Sequence, residues 1–172
     1  MMKELLDQLE RLGFYRFMAP ALIQAAMNEA LQTGYLFSGE TQREYNADSE
    51  DLAEGGVLDL LGEMKSFLAR EGVDIGQATQ HCDTDGYSVM INGEEYQMYS
   101  QEELETQDIW FLTTIRALSM VNTLLARVGS GERLYYLYCA NDTVAVFLTP
   151  VMYDTIVASP ALALRDKPNS VA

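Results

Sequence analysis

DIWFLTTIRALSMVNTLLARV (Asp108–Val128), the Gly-rich link Gly129-Ser130-Gly131-Glu132, and RLYYLYCANDTVAVFL (Arg133–Leu148) form the stretch that decides the fold. The first part holds no Gly or Pro. Phe111, Ile115, Leu118 and Leu125 recur at helical spacing, as do Trp110, Ala117, Val121, Leu124 and Val128. Thr113, Arg116, Thr123 and Arg127 fill the narrow remaining strip. So wide an apolar arc predicts a helix that is mostly buried. Gly129 stands where a left-handed residue closes a helix. Upstream, Ser100-Gln101-Glu102-Glu103 has the form of a capping box.

The second part predicts a hairpin turning at Asn141-Asp142, with Cys139 opposite Val144, Leu137 opposite Val146 and Tyr135 opposite Leu148. Tyr136, Tyr138, Ala145 and Phe147 then occupy the other face. Neither face is polar, so these strands are expected at the centre of a sheet covered on both sides. A second hairpin, Tyr87–Ile91 and Glu94–Tyr99, flanks Asn92-Gly93, a strong two-residue turn signal. Its apolar face carries Tyr87, Val89, Ile91, Tyr96 and Met98; its mixed face carries Ser88, Met90, Glu95 and Gln97.

Outward from these, Lys3–Leu12 predicts an amphipathic helix, and Pro20 opens another that ends at Gly34. Gln42–Tyr45 has the form of an edge strand, and Asp48 of a helix cap. Val57–Glu71 predicts a helix after the Gly55-Gly56 break, Val73–Gln80 a weak edge strand, and Thr149-Pro150 the start of a last short helix. The whole is α+β: a single globular domain over residues 1–158, with an N-terminal helical layer (1–37) and a frayed tail (159–172). One mainly antiparallel sheet of about four to six strands is expected to pack on the long helix.

The chain carries 11 Lys plus Arg against 26 Asp plus Glu, a net charge of −15. That balance repels nucleic-acid phosphate and anionic lipid, so neither nucleic acid nor membrane is an expected partner. No signal peptide is evident at Met1-Met2-Lys3-Glu4, no run of about 18 apolar residues stands out, and Cys82 and Cys139 lack C-x-x-C spacing. A cytoplasmic setting with reduced thiols is expected. From Glu71 to Ile115 there are ten acidic residues and no Lys or Arg.

No motif carries recognisable chemistry, no cofactor is implied, and the sequence leans away from an enzyme. Placing Gly86 of Asp83-Thr84-Asp85-Gly86 at the glycine of an EF-hand loop puts His81 and Asn92 where Asp and Glu are needed. His81 and Cys82 are strand neighbours facing opposite ways. Gly129-Ser130-Gly131 lacks the Lys of a phosphate loop.

Two functional expectations follow. The first is an acidic protein-binding module of inhibitor or immunity type, presenting an acidic surface to a basic protein. Glu94, Glu95, Glu102, Glu103 and Glu105 would steer the partner and Tyr99 would anchor it. In size and charge the chain is similar to bacterial immunity proteins that neutralise cationic toxins, a likeness of class that no shared motif accompanies. The second is a Mg²⁺- or Mn²⁺-dependent enzyme using Glu40, Glu44, Asp48 and Asp51 with Glu54. A self-associating chain, such as a homodimer without a ligand, is also compatible with the sequence.

Overall fold

The computed structural model describes residues 1–138 and 141–171. Its elements are α1 (Met2–Arg11), α2 (Pro20–Thr33), β1 (Glu44–Asn46), and α3 (Ser49–Asp51), which runs through a π-turn (Leu52–Gly56) into α4 (Val57–Arg70). After these come β2 (Ala78–Asp83), β3 (Gly86–Ile91), β4 (Glu94–Ser100), α5 (Gln101–Thr106) and α6 (Ile109–Arg127). The chain closes with β5 (Arg133–Leu137), β6 (Val144–Leu148), α7 (Pro150–Ala158), a 3₁₀ turn (Leu164–Asp166) and β7 (Asn169–Ser170). The α+β class is as expected.

The local signals act where the residues place them. Gly34 and Gly129 take positive φ at the ends of α2 and α6. Asp48, Asp108 and Thr149 each accept a hydrogen bond from a backbone N–H of the first turn they cap. Gly55, at φ 110°, kinks the chain between α3 and α4. The kink leaves Leu52, Val57, Leu60, Leu61 and Met64 all buried.

The two hairpins lie in separate sheets, not in the single sheet expected. The first sheet has the order β1-β6-β5-β7 and the second β2-β3-β4, both antiparallel. The reason is that both outer edges of the β5–β6 hairpin are already occupied. β1 pairs along β6. On β5, the Asn122 side chain of α6 donates to Leu134 O (3.0 Å) and accepts from Leu134 N (2.6 Å), and β7 pairs with Tyr135 and Tyr136. The tail expected to fray therefore returns to close the sheet, and Leu162 is buried on the way.

The β5–β6 register also differs: Leu137 lies opposite Val144 and Tyr135 opposite Val146. A shift of two leaves each residue on its expected face. Tyr138 leaves the strand at φ 64°, so Val144, expected opposite Cys139, pairs with Leu137 instead; Cys139 itself lies outside the described residues. The strand read from Val73 starts only at Ala78, after Gly76 at positive φ, and continues to Asp83.

The first sheet is covered on both faces, as the apolar patterning requires. Tyr135, Leu137, Val146 and Leu148 pack against residues of α1, α2 and α7, the N-terminal helical layer joined by the last helix. Leu134, Ala145 and Phe147 pack with α4, α6 and the inner face of the second sheet. Helix α6 is long and apolar enough to cross a bilayer by length and composition. Eight of its residues are buried in this protein. The burial is rotated from the expected arc: Thr113 is fully buried, with its hydroxyl unpartnered among the described residues, and Trp110 and Phe111 are exposed.

Arg43, the single cation among the acidic residues from Glu40 to Glu54, is fully buried and bonded to Phe14 of one core and Phe147 of the other. Its Nη1 donates to Glu132 Oε2 (2.9 Å) and Phe147 O (2.8 Å), its Nε to Phe14 O (2.7 Å) and its Nη2 to Gly13 O (3.1 Å). Removing one partner strands a charge in the interior. Arg43→Met is expected to destabilise the chain by about 3–5 kcal/mol, and Arg43→Met/Glu132→Leu to recover most of that loss. Denaturant unfolding of the two variants checks this; an Arg43→Met chain as stable as the parent would contradict it.

Candidate functional site

Residues expected to meet a partner divide into those the fold uses and those it leaves. Glu103 is used. It closes the capping box of α5, with Ser100 N donating to its Oε2 (2.9 Å) and Glu103 N donating to Ser100 Oγ (3.3 Å). Arg116 of α6 clamps the same carboxylate with two bonds of 2.8 Å, and donates to Met98 O at 3.1 Å. The Arg116 bonds, helped by the Ser100 amide, push the Glu103 carboxyl down to about 2. Glu94 is used too. Arg127 holds it through both carboxylate oxygens, one bond measuring 2.7 Å, and this ion pair lowers its pKa.

Tyr99 is not an exposed anchor. Ser88 pairs with Gln97 and Tyr87 with Tyr99, so Met98 is an extra residue in β4. This bulge breaks the alternation and turns Tyr99 inward beside Tyr87. Tyr99 is 6% exposed, its hydroxyl donates to Ala53 O (3.1 Å), and burial pushes its pKa up to about 12. A bulge has no composition signal here, which is why strict alternation placed Tyr99 outside.

Glu95, Glu102 and Glu105 remain exposed and make no ion pair among the described residues. Three hydrogen bonds bring the latter two together with other acidic segments. Gln101 N donates to Asp85 O (3.1 Å), tying the β2–β3 turn to α5. The Tyr99 hydroxyl ties β4 to the π-turn at Ala53. Thr114 Oγ1 donates to Ser49 Oγ (2.9 Å), tying α6 to α3. One end of the molecule thus carries exposed Glu50, Asp51, Glu54, Asp85, Glu102, Glu105 and Asp108. In the same segments Leu104 (44%), Trp110 (38%) and Phe111 (42%) are exposed. Sequence periodicity placed both aromatics in the core. The missed signal is their position in the first turn of α6, beyond the residues its neighbours cover.

The carboxylates of the metal reading do not form a common ligand set: among the described residues no three His, Cys, Asp or Glu side chains gather to hold an ion. Glu40 is exposed, Asp48 is engaged in capping Asp51 N (3.0 Å), and Asp51 lines an open hollow with Asn46, Asp48, Glu50 and Glu54. Glu44 turns into the protein. Its Oε2 accepts from Thr41 Oγ1 (2.6 Å) and Arg43 N (3.3 Å), while Oε1 is buried without a hydrogen bond. Burial raises its pKa above the usual carboxylate value.

On β2, His81 Nε2 lies 2.7 Å from Asp83 Oδ2 on the outer face. Cys82 Sγ lies 3.7 Å from the Tyr99 hydroxyl on the inner face, so the thiol and the imidazole do not converge. Asp83 Oδ1 accepts from Asp85 N (2.8 Å), which makes this segment a side-chain-stabilised turn. Cys139 lies outside the described residues. Comparison of the chain with protein-family models, with curated proteins and with solved structures finds no match.

The Glu44 environment has a pH consequence. A carboxyl whose folded pKa is raised contributes stability that is fully present below its unfolded value, 4.5, and is lost as pH rises through the folded value. Glu44→Gln removes this contribution. The melting temperature of the variant relative to the parent should therefore rise as pH increases from about 4.5 to neutrality. A difference that stays constant across that range would contradict a desolvated, ionising Glu44. Paired carboxylates such as Glu103 act in the opposite sense but are common to both proteins.

Proposed function

We propose that this chain is a protein-binding module of inhibitor or immunity type that covers a basic protein with its acidic end. The observation that carries the proposal is the exposed group Leu104, Trp110 and Phe111, set among carboxylates that, among the described residues, no Lys or Arg neutralises. Uncovered aromatics beside an uncompensated acidic rim have the anatomy of a recognition surface: apolar anchors supply affinity, and the rim supplies steering and rejects acidic competitors. Trp110, the only Trp in the chain, is the natural anchor.

The surface differs in part from the one read along the sequence. Glu102 and Glu105 stay in it. Glu94 and Glu103 serve ion pairs within the fold, Tyr99 belongs to the core, and Glu50, Glu54 and Asp85 join the rim. The metal-enzyme reading gains no support from the arrangement of Glu40, Glu44, Asp48 and Asp51.

The test is capture of partners from host lysate by the immobilised chain at low and moderate salt, with mass spectrometry. Glu102→Lys/Glu105→Lys, Trp110→Ala and, on α1, Glu4→Lys serve as comparisons. The parent and Glu4→Lys should retain a basic protein that added salt weakens, while the double variant should associate with it at least about tenfold more slowly. A captured protein that the double variant and Trp110→Ala bind as well as the parent would remove the proposal.

A further inference from the structure

We infer that the free edge of β2 takes up an extended basic segment of the partner as a fourth strand of the second sheet. This inference rests on the basic-partner proposal and adds how the partner's chain is held.

Among the described strands, β2 is the one long edge that is regular along its whole length. The first sheet ends in β1 and β7, only three and two residues long. The outer side of β4 is interrupted at its C-terminal end: Arg116 donates to Met98 O, the Met98 bulge distorts the strand, and α5 turns the chain away at Ser100. β2 has none of these protections. It runs six residues, pairs one-to-one with β3 along its whole length without a bulge, and is exposed everywhere but at half-buried Ala78. It contains no Pro, Lys or Arg, the residues that usually keep an edge strand from pairing.

The direction of its free backbone groups follows from the hairpin. The two-residue turn Thr84-Asp85 makes Asp83 and Gly86 a hydrogen-bonded pair, and bonded and non-bonded pairs then alternate. Thr79, His81 and Asp83 therefore aim their N–H and C=O groups at β3. Ala78, Gln80 and Cys82 aim theirs outward. The bond from Asn92 N to Gln77 O (3.0 Å) continues the same alternation. Three residues thus offer a donor and an acceptor each at the spacing an added strand reads.

Charge selects the occupant. Exposed Asp83 and Asp85 border one end of the edge, and exposed Glu54 directly precedes Gly55, where a side chain would touch Gln80 Nε2 of β2. Asp83 and Glu95 lie on the outer face of the sheet, and no cation occurs from Glu71 to Ile115. A second copy pairing β2 to β2 would bring together two chains of charge −15. A segment with Lys or Arg at every second position meets the acidic outer face and keeps apolar residues on the other side.

The experiment follows backbone amide exchange in the full chain with three synthetic peptides at low salt. One alternates Lys and Val, the second carries Pro at every second position of that sequence, and the third replaces Lys by Glu. The Lys–Val peptide should slow exchange at Ala78, Gln80 and Cys82 by about tenfold or more, and the other two should not. Equal protection by the Pro peptide would overturn the inference, because adhesion without strand pairing needs no amides. Protection of β2 that grows with chain concentration in the absence of peptide would overturn it in favour of a second copy. Unprotected β2 amides with the Lys–Val peptide would overturn it as well, and the acidic-end proposal would then stand or fall on the capture experiment alone.

Discussion

The guanidinium of Arg43 is the interaction on which the rest of the structure depends. It is fully buried, charged, and placed where the two cores meet. Gly13 and Phe14 bring the loop after α1 to it, Phe147 brings β6, and Glu132 brings the link between α6 and β5. The rings of Phe14 and Phe17 lie 5.5 and 5.0 Å from it. Arg16 reaches Glu132 Oε1 at 3.0 Å, outside hydrogen-bonding geometry, and pairs with Glu71, which accepts from Ser130. Four separate segments are thereby held at one point. Burial lowers the Arg43 pKa, and Glu132 opposes the shift; a guanidinium stays protonated at any pH the fold meets. A packing that separated Arg43 from Glu132 would leave a buried charge at a cost of about 3–5 kcal/mol, so the pair constrains which arrangement of layers the chain can adopt.

That constraint reaches the sheet through the backbone. Arg43 immediately precedes β1, and its carbonyl accepts from Phe147 N (2.9 Å), the bond next to the Glu44–Val146 pair. Anchoring the side chain therefore sets where β1 lands on β6. Glu44 follows, and its half-buried carboxylate is the consequence of a strand whose register is fixed one residue earlier. The acidic stretch around it looks uniform in sequence, yet Glu44 is turned inward while Glu50 and Glu54 are exposed.

Much of the fold was legible because its signals are local. Helix ends at Gly34 and Gly129, caps at Asp48, Asp108 and Thr149, and the Asn92-Gly93 turn each depend on a few consecutive residues. The doubly covered β5–β6 hairpin followed from apolar residues on both faces. What escaped depends on contacts remote in sequence. The division into two sheets rests on Asn122 and β7 occupying β5, and the inward turn of Tyr99 on one extra residue in β4. The candidate site was legible as a charge imbalance and not as a residue list. Composition reports an excess of acid, while pairing decides which carboxylates stay available.

Pairing also explains why the excess collects at one end. Arg16, Arg43, Arg116 and Arg127 are each engaged with a carboxylate inside the fold. Arg116 and Arg127 come from α6 and neutralise Glu103 and Glu94, the two acids of the second hairpin and α5 that lie within their reach. Among the described residues Glu102, Glu105 and Asp85 make no such pair: the chain from Glu71 to Ile115 supplies no cation, and Arg116 and Arg127 are engaged with Glu103 and Glu94. Like charges left together repel, at a cost the Arg43-centred half of the molecule must offset. The edge strand β2 and the exposed Trp110 both belong to that stretch without Lys or Arg. Apart from Asp108, which also caps α6, the residues that hold the layers together and the residues left uncovered are thus different sets, so changing Glu102 or Glu105 touches neither the buried charge pair nor the cores.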